Sequence, residues 1–208
     1  MSQAALRIVL VALVISILTV VGATAWLVSE INSGTGSRTI FTNVQIGGPF
    51  TLTDHTGNQV RNTDFHDRFM LIYFGYTHCP DVCPTELASM ATALDILGPQ
   101  AESIVPLFIT LDPQRDTPAA LASYVPLFHE RLVGLTGTEA EVAVVAQAYS
   151  VFYEKIEGEE TTDYTLKHTT LIYLVRPDGE LAESCPNGTA PTAISDAIRR
   201  QVPSVPAG

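Results

Sequence analysis

Cysteine, methionine and basic residues are all scarce in this chain, and each shortage excludes a class of protein. The 208 residues include three Cys and three Met. So few cysteines cannot build the framework of a disulfide-rich domain, and methionines at positions 1, 70 and 90 cannot form a methionine-rich metal site. Lys and Arg total 11 against 22 Asp and Glu, which gives a net charge of −11. That acidity argues against nucleic acid as a partner.

Charged residues are absent from residues 8–28, a run rich in Val, Ile, Leu and Ala. About twenty apolar residues suffice to cross a bilayer, so residues 1–30 are predicted to be a membrane anchor. Arg7 precedes the run and favours an inside N-terminus. Ala23-Thr-Ala25 resembles a processing site, which leaves a cleaved signal as the alternative. Both interpretations place the rest of the chain outside the cytoplasm. In a bacterium this means a single-pass protein of the inner (cytoplasmic) membrane, with its soluble domain on the periplasmic side.

One domain is predicted for residues 48–203, after a flexible linker at residues 31–47 that contains a Gly- and Ser-rich stretch. A hairpin signal at Thr56-Gly-Asn58 opens the domain. Strands then alternate with helices, and a further hairpin and a final helix close it. The predicted strands cover residues 69–74, 104–111, 132–135 and 170–175 with one more at Leu181, and the predicted helices cover 84–97, stretches after 117 and 138, and 191–202. This order predicts an α/β fold, a thioredoxin-like sandwich with a central mixed sheet, flanking helices and an N-terminal β-hairpin.

The stretch Cys79-Pro-Asp-Val-Cys83 is the strongest chemical signal in the sequence. It follows the first long predicted strand, at the start of a predicted helix. Two thiols at this spacing lie about one helical turn apart, and a helix N-terminus stabilises thiolates. Three residues separate the cysteines, instead of the two found in ordinary thioredoxin-type sites. That spacing suits a metal held between two sulfurs and does not forbid a disulfide.

Two thiolates rarely complete a metal site, and a neutral imidazole is the usual additional ligand. The chain has five histidines. His78 adjoins the first cysteine, but neighbours in an extended loop tend to point apart. His55, His66 and His129 are expected to be solvated. His168 precedes the strand at 170–175, and in a thioredoxin-like fold this loop packs beside the cysteine helix. His168 is therefore the best candidate for the third ligand.

A polar loop follows the second long strand, Leu111-Asp-Pro-Gln-Arg-Asp-Thr-Pro118, at the carboxyl end of the sheet. Asp112 is a candidate to orient a ligand or a thiol beside the site. Arg115 and Asp116 could equally pair and stabilise the loop, and residue types alone favour this structural role. Cys185 lies in the loop-like run Glu183-Ser-Cys-Pro-Asn-Gly188 and is expected to be an incidental thiol near the surface.

Four separated blocks, in this order, resemble the Sco/SenC family. They are Tyr73-Phe-Gly-Tyr-Thr-His-Cys-Pro-Asp-Val-Cys-Pro-Thr-Glu-Leu87, Ile109-Thr-Leu-Asp-Pro-Gln-Arg-Asp-Thr-Pro118, Leu132-Val-Gly-Leu-Thr-Gly-Thr138 and Lys167-His-Thr-Thr-Leu-Ile-Tyr-Leu174. The resemblance runs from about Gly48 to Gly179, and the family's membrane anchor is matched by the apolar run. It implies a thioredoxin-like fold and a membrane-tethered domain that binds one copper ion.

The resemblance also implies roles for individual residues. Cys79, Cys83 and His168 are the implied copper ligands, the two cysteines are also the redox-active pair, and Asp112 lies close to the site. The implied role is assembly of the binuclear copper site of cytochrome c oxidase, as copper donor, thiol reductant or both. The expected partners are the copper-site subunit of that oxidase, other copper carriers, and the membrane. Cys185 departs from the family pattern, and redox exchange is the alternative role for it.

Two other functions remain open on the residues alone. An exported thiol–disulfide oxidoreductase would depend on Cys79 and Cys83 and ignore His168. A peroxidase of thioredoxin fold is disfavoured, because a second cysteine four residues on competes with a peroxidatic one. The implied metallochaperone is a metal carrier more than an enzyme, with thiol–disulfide exchange as its one candidate activity.

Overall fold

The computed structural model describes residues 46–158 and 164–202, together with Ser16, Thr19, Gly22 and Thr24, which are helical. Contacts divide the chain into two units, Met1–Val44 and Gln45–Gly208. Among the residues described, no helix has both the length and the apolar character needed to cross a bilayer. The predicted anchor at residues 1–30 and the linker at 31–47 lie almost entirely outside the described residues, and both stay predictions.

A seven-stranded mixed sheet forms the centre of the second unit, and a separate two-stranded sheet lies beside it. In chain order the strands are β1 Thr51–Asp54, β2 Gln59–Arg61, β3 Phe69–Gly75, β4 Ile104–Thr110, β5 Val133–Thr136, β6 Tyr153–Glu157, β7 Tyr164–His168, β8 Ile172–Val175 and β9 Leu181–Cys185. The large sheet has the order β2-β1-β5-β4-β3-β8-β9, and β6 pairs with β7. Strands β3, β4 and β5 run parallel, while β8 and β9 continue the sheet antiparallel.

Helices cover both faces of this sheet. They are α1 Val82–Leu97, α2 Pro118–Tyr124, α3 Glu139–Ala148 and α4 Pro191–Gln201. Successive residues of a strand point to opposite faces. Leu71 and Tyr73 of β3 accordingly join one buried cluster with residues of α1 and α4, and Met70 and Phe74 join a second cluster with residues of α3. The sequences of β3 and β4 are almost entirely apolar, because helices cover both faces of these strands.

Local signals in the sequence place most of these elements correctly. The hairpin at Thr56-Gly-Asn58 is confirmed as the turn between β1 and β2, where Gly57 has a φ of +90°. The hydroxyl oxygen of Thr117 accepts a hydrogen bond from the N–H of Ala120 and caps α2. Thr138 and Glu141 form a capping box at the start of α3, in the helical stretch predicted after residue 138. The thioredoxin-like α/β fold is therefore confirmed for the second unit.

The hairpin of β6 and β7 was not predicted. His168 was expected in a loop before the strand predicted at residues 170–175. That placement is wrong, because His168 is the last residue of β7 and pairs with Tyr153 of β6. The apolar alternation of this hairpin is weak, because only Tyr153 of β6 is half-buried and the apolar Ile156 is exposed like its charged neighbours.

The expectation for Cys185 is also wrong. This residue ends β9, pairs with Ile172 of β8, and exposes 7% of its surface. It packs in the same buried cluster as Tyr73 and residues of α1 and α4. Burial raises the pKa of the Cys185 thiol. Cys185 is therefore part of the core and not a surface thiol.

Candidate metal centre

The first two candidate ligands lie where β3 turns into α1. The N–H of Cys79 donates to the carbonyl of Tyr76 at 3.2 Å, which closes a tight turn after the strand. The sulfur of Cys79 then accepts a hydrogen bond from the N–H of Cys83 at 3.4 Å. Asp81, the residue that precedes α1, makes no side-chain capping bond. A sulfur thus satisfies one of the free N–H groups at this helix start, a position that favours a thiolate.

Cys83 lies in the first turn of α1 and is fully buried against the end of β3. A Cβ added to Gly75 would be 2.9 Å from the Cys83 sulfur and 3.0 Å from the ring of Phe108. Only glycine leaves the sulfur this space. Gly75 therefore belongs to the site, although the sequence analysis did not single it out.

The third candidate ligand, His168, is the last residue of β7 in the two-stranded sheet. The Nε2 atom of His168 lies 3.6 Å from the sulfur of Cys83. Its Nδ1 lies 2.9 Å from the carbonyl oxygen of Thr169. A carbonyl can only accept, so Nδ1 carries a proton, and Nε2 is the ring nitrogen that faces the sulfurs and could bind a metal. The ring edges of Tyr73 and Tyr76 flank the imidazole, with centroid distances of 6.3 and 5.9 Å.

These three side chains converge on one point. One ligand atom each from Cys79, Cys83 and His168 lies within 4.8 Å of the other two. A metal held at about 2.3 Å from sulfur and 2.1 Å from nitrogen needs ligand atoms roughly 3.5–4 Å apart. The arrangement therefore fits a soft metal with little movement, and the same two sulfurs, within 4.8 Å of each other, are the pair that a disulfide would join.

The two thiols differ in electrostatic environment. The thiol of Cys83 donates toward the sulfur of Cys79, and this bond, with the neighbouring side chain of His168 and the N–H groups at the helix start, lowers the pKa of Cys79 to about 3. The same interaction, together with burial, raises the pKa of Cys83 far above its ordinary value. The reduced pair therefore consists of a half-exposed thiolate and a buried thiol.

Asp112 connects the loop after β4 to the small sheet. It is 4% exposed, forms an ion pair with Arg115, and accepts a hydrogen bond from the hydroxyl of Tyr164 at 2.7 Å. The alternative pairing of Arg115 with Asp116 is wrong. Asp116 instead accepts from the hydroxyls of Thr77 and Thr110 and from the N–H of Thr77.

The remaining histidines have other surroundings. The N–H of Gly134 donates to Nδ1 of His55 at 3.2 Å. His66 contacts Asn62, and Nε2 of His129 lies 4.0 Å from Asp95. The side chain of His78 is 57% exposed and its ring contacts Thr77. Although His78 adjoins Cys79 in sequence, its imidazole is not among the three side chains that converge.

Comparison with known proteins decides the family. A family model described as SCO1/SenC matches residues 39–203. The chain belongs to the SCO1/SenC family. It is similar to the human protein named SCO1 homolog, mitochondrial, with 48% identity over 140 residues, which cover 66% of this chain and 46% of the human protein. The predicted family is confirmed.

Solved structures of Sco proteins agree in fold. One is Bradyrhizobium japonicum ScoI with copper bound, with 41% identity, a TM-score of 0.70, and coverage of 74% of this chain and 98% of that one. Another is Arabidopsis thaliana ScoI with copper bound, with 38% identity, a TM-score of 0.70, and coverage of 74% and 99%. The chain spans about half the length of the human and mouse relatives it matches.

Proposed function

We propose that the domain binds one copper ion through the sulfurs of Cys79 and Cys83 and Nε2 of His168. The convergence of these three atoms within 4.8 Å carries the proposal, because the cysteines lie at the start of α1 while His168 ends β7, 85 residues after Cys83. Two Sco structures of 38% and 41% identity hold copper, which supports the same metal here.

The donor set suits copper chemistry. Soft thiolate sulfur favours Cu(I), and the imidazole nitrogen lets Cu(II) bind as well. The ligands also differ in access: Cys83 is fully buried, whereas Cys79 is only partly buried. Such a site holds the ion on its buried side and leaves the side of Cys79 open to incoming ligands. A carrier needs this opening, because the recipient must reach the ion.

The copper is cargo in this proposal, and the recipient is the binuclear copper site of cytochrome c oxidase. Delivery proceeds by ligand exchange. Cysteines of the recipient subunit first bind the copper from the open face of the site and then replace its ligands. Reduction of the recipient is the second mode: the Cys79 thiolate attacks its disulfide, a mixed disulfide forms, and Cys83 then displaces the reduced recipient. The recipient disulfide gains two electrons and the Cys83 proton, so it leaves as one thiolate and one thiol, and the pair ends as a disulfide.

The proposed setting is a membrane. The apolar run at residues 8–28 would hold the protein in the inner membrane of a bacterium, with residues 48–203 on the periplasmic side and within reach of an oxidase subunit. Retention of the full-length protein in the membrane fraction after alkaline extraction would support this, and release of a shortened chain would indicate a cleaved signal.

Metal analysis of residues 48–208, reduced and anaerobic, tests the ligand set. The parent and a His78→Ala control should each retain one copper ion per chain after competition with a chelator. Cys79→Ser, Cys83→Ser and His168→Ala should each lose it. His78→Ala is a matched control because it removes an imidazole next to Cys79 from outside the cluster. Equal copper retention by His168→Ala and the parent would remove His168 from the site.

A thiol–disulfide oxidoreductase is the second candidate, and the lowered pKa and partial exposure of Cys79 favour it. The visible spectrum after addition of Cu(II) separates the two functions. Thiolate-to-copper charge-transfer bands that disappear in His168→Ala support the copper carrier. Thiol exchange that proceeds equally in the parent and His168→Ala, without such bands in either, supports the oxidoreductase.

A further inference from the structure

His168 is carried by a sheet that has little stability of its own. Strands β6 and β7 pair with each other and with no strand of the large sheet in the described part of the chain. A two-stranded hairpin alone is marginally stable in water. Contacts between its side chains and the rest of the domain must therefore fix where His168 lies.

Strand β7 presents an inward face of three residues. Tyr164, Leu166 and His168 are half-buried, while Thr165 and Lys167 between them are exposed. This is the period of two expected for a strand with one covered face. Leu166 packs against both buried clusters of the domain. A slip of one residue would turn His168 toward solvent, so whatever holds Tyr164 also sets the position of His168, about 13 Å away along the strand.

Tyr164 is held from several directions. Its hydroxyl donates to Asp112 at 2.7 Å, and its carbonyl accepts from Nη1 of Arg115 at 3.2 Å. The guanidinium of Arg115 stacks on the Tyr164 ring at 3.6 Å, and Asp112 pairs with the same guanidinium. The ammonium of Lys155 lies 4.0 Å from the ring centroid. Asp112, Arg115 and Tyr164 thus form a clamp between the loop after β4 and the first residue of β7.

The clamp also reaches the imidazole by a second route. Arg115 lies 5.8 Å from the ring centroid of Tyr76. Tyr76 in turn makes an edge contact with His168, at a centroid distance of 5.9 Å. Arg115 therefore lies against two aromatic rings. Tyr164 is the first residue of β7, and Tyr76 is beside His168, the last residue of β7.

We propose that Tyr164 is a positioning residue for metal binding: through Asp112 and Arg115 it fixes the register and attitude of β7, so that Nε2 of His168 stays beside the sulfurs of Cys79 and Cys83. This inference rests on the proposed function, because it concerns the same three ligands. It adds that the copper affinity of the domain depends on a tyrosine hydroxyl that never touches the metal.

Tyr164→Phe is the test variant, since it removes the hydroxyl and keeps the ring under Arg115. Thr165→Val is the matched control, because it removes a hydroxyl from the neighbouring, outward-facing position of the same strand. Hydrogen exchange of the metal-free protein should accelerate in residues 164–169 of Tyr164→Phe and remain as in the parent for Thr165→Val. Anaerobic Cu(I) competition titration should show an affinity about tenfold lower for Tyr164→Phe, the expected effect of losing one hydrogen bond to a charged group.

A double variant shows whether Tyr164 acts through His168. In the His168→Ala background, where a weaker chelator measures the Cu(I) affinity that the two cysteines retain, Tyr164→Phe should cause no further loss. Parent-like exchange and affinity in Tyr164→Phe, with His168→Ala still impaired, would overturn the positioning role and leave the ligand set intact. A tenfold loss that persists in the His168→Ala background would overturn it too, because the effect would then bypass the imidazole. Parent-like affinity of His168→Ala itself would overturn both the ligand set and this inference.

Discussion

The sulfur of Cys83 occupies the space that a side chain at Gly75 would take, since a Cβ there would lie 2.9 Å from it. The strand that precedes the cysteine motif and the helix that carries it therefore meet without a gap. Access to Cys83 from that side is closed, and the sulfur faces Cys79, His168 and the hydroxyl of Tyr73. The absence of a side chain at position 75 thus leaves the Cys83 sulfur the space it occupies.

Gly75→Ala should push the Cys83 sulfur out of line and weaken copper binding. The added methyl also meets the rings of Phe108 and Tyr73 at 3.0 and 3.1 Å, so overpacking should lower the free energy of unfolding by about 1–3 kcal/mol. Denaturant unfolding of the metal-free protein measures the second effect, and copper competition titration measures the first.

Gly134→Ala supplies the control for this substitution. Its Cβ would lie 2.9 Å from Val125 and 3.1 Å from Leu121, in β5 and away from the cysteines. It should destabilise the fold by a similar amount and leave the copper affinity of the folded protein unchanged. Equal affinity losses in both variants would mean that overpacking acts on the whole domain and not on the direction of the sulfur.

Cys79 should be alkylated before the other two thiols in the reduced, metal-free protein. It is the half-exposed member of the pair, and its pKa is lowered to about 3, whereas burial and the Cys79 interaction raise the pKa of Cys83. Because a lowered pKa keeps the thiolate populated as the pH falls, iodoacetamide should modify Cys79 at nearly the same rate from pH 8 to pH 5. Peptide mass spectrometry assigns the site. A Cys79 rate that falls about tenfold per pH unit below pH 8, as for an ordinary thiol, would contradict the prediction.

The sequence predicted those parts of the site that depend on local patterns. A strand, a turn and a helix start follow each other within about fifteen residues, so Cys79 and Cys83 were assigned to a helix N-terminus without any tertiary information. The prediction of His168 had a different basis, since it required a fold model to bring two distant segments together. The side chains converge as that model implied, but the element that carries His168 is a strand and not a loop.

Other parts of the site depend on tertiary packing that no local pattern records. Asp112 was predicted to lie near the site, yet its partner Tyr164 belongs to a hairpin whose apolar alternation is too weak to predict its strands. Arg115 has a carboxylate on either side in sequence, at positions 112 and 116, and residue types alone cannot select between them. Burial of Cys185 likewise follows from its pairing with Ile172, whereas the flanking Ser, Pro, Asn and Gly are typical of a loop.

Asp116→Ala should destabilise the loop that leads into the cysteine motif. Asp116 is fully buried and accepts hydrogen bonds from the N–H and hydroxyl of Thr77 and from the hydroxyl of Thr110. Removing the carboxylate leaves these donors without an acceptor, which should cost about 2–4 kcal/mol in the free energy of unfolding. Thermal or urea unfolding of the metal-free protein measures it. Asp116→Asn, which retains one acceptor oxygen, should cost less, and an equal cost would show that the charge matters more than the number of acceptors.

Cys185→Ala should leave copper binding intact and affect only stability. The residue is buried between β8 and the helices of the α1 side and lies outside the Cys79, Cys83 and His168 cluster. Replacing a buried sulfhydryl by a methyl group leaves a small cavity, so we expect a loss of about 1 kcal/mol or somewhat more in the free energy of unfolding. Copper stoichiometry and the rate at which Cys79 and Cys83 form a disulfide should match the parent. Since the raised pKa and burial of Cys185 both oppose thiolate chemistry, a slower or incomplete disulfide in Cys185→Ala would show that this thiol takes part in redox exchange after all.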